Sequence, residues 1–121
     1  MGKYGQTAEL AAKLLMNSAT KSPRDAWDKA VSIIFPSSES SREKGCPRDT
    51  FLSICGAGEL RGVLPGTYTR SVKNKSYADA AMHLIRKNPN IANDEKTLWA
   101  NVTNNVGKTP NYQMDVVITL W

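Results

Sequence analysis

The sequence predicts a mainly α protein, a single compact bundle of five or six short helices with one long irregular, basic loop. Two observations predict it. Apolar residues recur at i, i+3, i+4 and i+7 in six separate stretches, while almost nothing alternates as a half-buried strand would. Helix start and stop signals frame several of these stretches, Ser22-Pro23 and Pro36 being the clearest pair. At 121 residues, 40% hydrophobic and 22% charged, the chain can bury about two thirds of its unfolded surface in one core. No linker divides it, so residues 1–121 are read as one domain.

The first helix is expected over Gln6 to Ser18, with Thr7 as N-cap and Leu10, Ala11, Leu14 and Leu15 on the buried face. In the second, Ser22 caps, Pro23 takes the first position, where a missing N–H costs nothing, and Asp25 faces the positive end of the dipole. Trp27, Ala30, Val31 and Ile34 follow on one face until Pro36 stops the helix. The stretch "SSESSREKG" (Ser37 to Gly45) has no apolar residue to bury and reads as a mobile loop. A third helix opens at Pro47, packs Phe51, Leu52, Ile54 and Cys55, and ends at Gly56 and Gly58. Leu60 to about Lys75 reads as loop, with a short extended piece near residues 67–72. A fourth helix starts near Ser76, buries Ala78, Ala81, Met82 and Ile85, and breaks at Asn88-Pro89. Asn93 caps the fifth, which presents Leu98, Trp99 and Val102 and carries Asp94 and Glu95 in its first turn. The ending repeats the helical spacing through Met114, Val117, Ile118 and Trp121, although the β-branched run Val116–Thr119 leaves a strand open there.

The segment from Gly58 to Ala78, "GELRGVLPGTYTRSVKNKSYA", gathers Arg61, Arg70, Lys73 and Lys75, with no carboxylate between Glu59 and Asp79. Phosphate recognition asks for fixed cations and for backbone N–H groups that can approach an anion closely. Those four cations, with Gly62, Gly66, Thr67, Thr69 and Ser71, supply both, and Tyr68 adds a ring on which a base can stack. Arg42, Lys44 and Arg48 extend the surface if the two loops share a side. The expected function is therefore a small non-catalytic module for an anionic partner, nucleic acid first and other anions second. A net charge of +5 agrees in sign. The plain alternative is a solvated loop whose cations keep the protein soluble. A helix-turn-helix is poorly served, because the place of a recognition helix reads "RGVLPG".

Two further constellations compete with that loop. Cys46, beside Lys44 and Arg48 at a helix start, stands where dipole and cations favour a thiolate, and His83 is the one histidine available as a base. A small cysteine enzyme is the alternative reading, with the bland one a capping cysteine and a surface histidine. Asn111, Gln113 and Asp115 either cap the final helix locally or close a polar pocket against the Tyr-Thr loop. Trp121 with Ile118 and Leu120 offers a third function, self-association as a homodimer through the terminal helix. Neither a metal nor a cofactor is expected, since zinc-ligand spacings and nucleotide-binding glycine motifs are missing.

The segments "KGCPRDTFLSICGAGELRGVLPGTYT" and "NYQMDVVITLW" carry a resemblance. Gly-Cys-Pro opens a helix with Phe-Leu and Cys, a glycine-punctuated loop holds Tyr-Thr, and Asn-x-Gln-Met-Asp leads to a terminal Leu-Trp. In these features, from Lys44 onward, the chain resembles a family of small bacterial proteins of unknown function. The resemblance implies a bacterial, cytoplasmic protein and brings no activity, ligand or catalytic residue with it. The residues themselves agree on location. The start "MGKYGQTAEL" has no signal-like apolar run, no stretch approaches the ~20 residues of a membrane span, and two cysteines nine apart on one helix lie about 13 Å apart, too far to pair.

Overall fold

The computed structural model describes residues 2–121, and among them the helical spacing becomes seven α-helices and one 3-10 turn. In order these are α1 (Lys3–Met16), α2 (Pro23–Ile34), α3 (Glu39–Arg42), α4 (Gly45–Gly56), α5 (Val72–Lys87), the 3-10 turn Pro89–Asn93, α6 (Glu95–Val102) and α7 (Gln113–Leu120). The described residues contain no strand, and the piece near 67–72 pairs with no second strand. The fold is all-helical.

α2 forms as its sequence dictates: the Asp25 N–H donates to Ser22 Oγ at 3.1 Å, Pro23 sits at the first position, and Phe35 ends the helix one residue before Pro36. α1 does not. It starts at Lys3, and Thr7 is an interior residue whose hydroxyl donates to the Lys3 carbonyl at 2.9 Å. The start is held from elsewhere, because the Asp115 carboxylate of α7 accepts from the N–H groups of Gly2 (2.9 Å) and Gly5 (2.7 Å). The buried face turns accordingly to Tyr4, Thr7, Ala8 and Ala11, leaving Leu10, Leu14 and Leu15 half-buried at its margin.

The polar stretch after α2 is not a bare loop. Ser38 caps α3 by accepting from the Ser41 N–H at 3.3 Å, and the Arg42 guanidinium donates to the carbonyls of Phe35 (2.8 Å) and Pro36 (3.0 Å). Hydrogen bonds order what apolar burial cannot. α5 likewise begins four residues before Ser76, because Ser71 Oγ accepts from the Asn74 N–H at 3.3 Å. Lys73 and Lys75 therefore stand on a helix, not in the loop. The cap of α6 is Asp94 rather than Asn93; its carboxylate accepts from the Thr97 N–H (3.1 Å) and hydroxyl (2.7 Å). α7 is helical throughout, since burying Val116 and Val117 outweighs a β-branched penalty of a few tenths of a kcal/mol per residue.

α4 lies at the centre, in contact with α2, α5 and α7. Phe51 and Leu52 from it join Trp27, Ile85, Leu98, Val116 and Val117 in one buried cluster, with the Trp27 and Phe51 rings 5.4 Å apart. Both cysteines are on α4 and free, Cys55 buried and Cys46 half-buried. Just beyond α4, Glu59 pairs with Arg86 near the end of α5 at 2.5 Å, so the two helices run side by side in the same direction. Among the described residues no helix is long and apolar enough to cross a membrane.

Candidate anion-binding cleft

Because α5 starts beside the start of α4, the chain leaving α4 must return along its length. Gly56 makes that return tight. Its carbonyl accepts from the Gly66 N–H at 3.1 Å, and the Gly66 carbonyl oxygen occupies the space a Cβ on Gly56 would need. Gly58, at φ +77°, supplies the reversal just before. Tyr68 then braces the loop: its ring lies over Gly66, and its hydroxyl donates to the Leu64 carbonyl at 2.7 Å.

Thr67 to Ser71 run on from this anchor to line a cleft of about 440 Å³, whose other walls are Arg48, Asp49 and Leu52 of α4 and Arg24 of α2. Three arginines from three elements thus line one concavity, together with Thr67, Thr69 and Ser71. Asp49 is the sole carboxylate among the lining residues. It sits 3.3 Å from Arg48 Nε, while Arg24 pairs at 3.3 Å with Asp28 on an exposed stretch of α2, where such a pair is worth little. Arg70 is in no ion pair among the described residues.

Of the expected ligand-binding residues, Tyr68 and Arg70 reach the cleft. Arg61 is exposed but does not line it, Lys73 is exposed on the first turn of α5, and Lys75 pairs with Asp79 at 3.0 Å. The second basic segment contributes Arg48 alone. Arg42 is tied to the end of α2, and the Lys44 ammonium lies 5.9 Å from the Tyr112 ring centre. Arg24 was not legible as a site residue, because only the packing of α2 on α4 brings it there.

The structure does not bring Cys46 to His83. Cys46, second residue of α4, lies by the start of α5: the nearby Lys108 ammonium, held above the usual lysine range chiefly by Tyr77, also feels Lys73 and Cys46. His83 is exposed ten residues beyond Lys73, about 15 Å along the same helix. Cys55 is buried, and burial pushes its thiol up to about 12. Asn111, Gln113 and Asp115 do not line the cleft either. Gln113 is a buried clip, accepting from the Asn111 N–H at 2.6 Å and donating to Asn74 Oδ1 at 3.4 Å, so it ties α7 to α5. Asn111 caps nothing with its side chain; the residue before α7 is Tyr112, in a left-handed conformation at φ +67°. Trp121 is half exposed, with the Arg86 guanidinium 5.6 Å from its ring centre. No group of three or more His, Cys, Asp or Glu among the described residues is arranged to hold a metal.

No curated protein and no solved structure matches the chain. One family model covers residues 1–121, and the chain therefore belongs to that family of unknown function (DUF6979).

Proposed function

We propose that the protein is a small non-catalytic module that binds single-stranded nucleic acid by seating a backbone phosphate in the arginine cleft. The observation that carries this reading is the delivery of Arg24, Arg48 and Arg70 by three separate elements to one concavity that has a single carboxylate. Like charges repel, and a guanidinium cluster is stabilised by an anion whose oxygens match the planar donor forks. Hydroxyls on Thr67, Thr69 and Ser71 add neutral donors at the same place. A cleft of about 440 Å³ suits one nucleotide unit of a flexible strand better than a rigid duplex, with Tyr68 as a wall for the sugar or base. Two free thiols support a reducing, cytoplasmic setting.

The test is fluorescence anisotropy with a labelled single-stranded oligonucleotide across a salt series. One seated phosphate predicts a slope of log affinity against log salt of about −0.7. Arg70→Gln should weaken binding and flatten that slope, whereas Arg61→Gln and Lys75→Gln, outside the cleft, should change neither. Undetectable binding at ~50 mM salt, or equal losses at all three positions, would overturn the site.

A further inference from the structure

A second cavity, of about 540 Å³, shares no lining residue with the arginine cleft. Its walls are Trp99 of α6, Met114 of α7, and Pro110 and Tyr112 from the connection between them, with Glu95 and Lys96 at the start of α6. The walls are apolar and fixed. Trp99 is locked by its indole N–H, which donates to the Lys108 carbonyl at 2.7 Å, and by the Tyr77 ring set edge-on at 5.1 Å. Tyr112 packs on Tyr4 at 4.7 Å and keeps a left-handed backbone (φ +67°) that costs a non-glycine residue about 1 kcal/mol. The residue nevertheless stays half exposed, at the border with a neighbouring depression that also holds Tyr4, Phe35 and Asp115.

The rim carries one acid, Glu95, and one base, Lys96. Glu95 is in no ion pair among the described residues. Glu95 is an exposed residue, but partial desolvation of its carboxyl and then the charge of Asp115, whose own oxygens are taken by Gly2 and Gly5, hold it above the ordinary glutamate range. Attraction to the dipole of α6 accounts for an acid at that position but not for the apolar wall beside it. The rings on this side already accept ammonium groups: Lys3 lies 5.6 Å from the Phe35 ring centre and Lys44 5.9 Å from that of Tyr112. From this geometry we propose that the Trp99–Tyr112 cavity is a binding site for a small organic amine, with its apolar body between Trp99, Pro110, Tyr112 and Met114 and its ammonium on Glu95.

The test uses phenethylamine, and 3-phenylpropionate as a probe of similar size and opposite charge, titrated into ¹⁵N-labelled protein. Phenethylamine should produce saturable shifts of the Trp99 indole N–H and of the Tyr112 and Met114 amides. The carboxylate probe should bind at least ~10-fold more weakly, and Glu95→Gln should weaken the amine by ~10-fold. The Glu95 carboxylate accepts no hydrogen bond among the described residues, so that variant should keep the parent spectrum elsewhere. Lys96→Gln, which removes the competing cation on the rim, should strengthen amine binding. Shifts that do not saturate by ~10 mM, equal affinity for both probes, or an unaffected Glu95→Gln variant would overturn the assignment.

Discussion

Replacing Asp115 by alanine tests the long-range capping of α1 directly. The carboxylate accepts two backbone N–H groups, Gly5 at 2.7 Å in a part-buried setting and Gly2 at 2.9 Å in an exposed one. A hydrogen bond to a charged group contributes roughly 1.5–3 kcal/mol, and water can replace the exposed partner better than the buried one. The same carboxylate also lies in the first turn of α7, worth about 0.5 kcal/mol through the dipole. Asp115→Ala should therefore cost about 2–3 kcal/mol in a urea titration monitored by far-UV circular dichroism. For a chain of this size ~1 kcal/mol shifts the melting temperature by about 4 °C, so the midpoint should fall by about 8–12 °C. Asp115→Asn keeps a neutral acceptor and should recover about half the loss. Exchange of the Gly5 amide should accelerate before that of the α4 amides. Removing the charge should also let the Glu95 carboxyl fall toward its ordinary range, since Asp115 is one of the two influences raising it. An alanine variant within ~0.5 kcal/mol of the parent would refute the capping argument.

Two further outcomes follow from the loop and the core. Gly56→Ala must displace the Gly66 carbonyl; it should cost about 1–3 kcal/mol and weaken oligonucleotide binding with it. Gly62→Ala should cost only about 1 kcal/mol for its backbone conformation and spare binding, because φ is +81° there but a Cβ meets nothing within 4 Å. Comparable binding losses in both variants would show that the Gly56–Gly66 anchor does not shape the cleft. Cys55 sets an alkaline limit. Its thiol stays protonated to about 12 when folded, while the unfolded thiol ionises near 9, so the stability it contributes is complete below pH 9 and drains away as pH rises toward 12. The decline is about 1.4 kcal/mol per pH unit, and Cys55→Ala, although less stable at neutral pH, should lack that share of the slope. Identical alkaline slopes in the two proteins would rule it out.

What was legible in the sequence was local. Ser22-Pro23 and Pro36 bound α2 because capping, a fixed φ and a missing donor act within a few residues. The apolar spacing placed Trp27, Phe51, Leu98 and Val117 in the core for the same reason. Misplaced boundaries trace to hydroxyls and acids whose partner was ambiguous by a few positions: Ser71 rather than Ser76, Asp94 rather than Asn93. Each of these side chains can cap, and only the packed backbone decides which one does.

Function was less legible because the arginine cleft is assembled across the chain. The basic segment looked like one surface when read along the sequence. Yet Ser71 starts a helix in the middle of it, which sends Lys73 and Lys75 along α5, while Arg61 stays on the loop but off the cleft and only Arg70 of the four cations lines it. Its companions come from elsewhere, Arg48 because the Gly56–Gly66 contact lays the loop back over α4, and Arg24 because α2 packs on that same helix. Asp115 behaves likewise: nothing near it in sequence marks it as the cap of a helix that starts 112 positions earlier. A charge pattern read along a chain therefore reports a site only where the backbone stays irregular. Once a capping residue starts a helix, successive side chains turn about 100° apart, and cations adjacent in sequence cease to be neighbours in space.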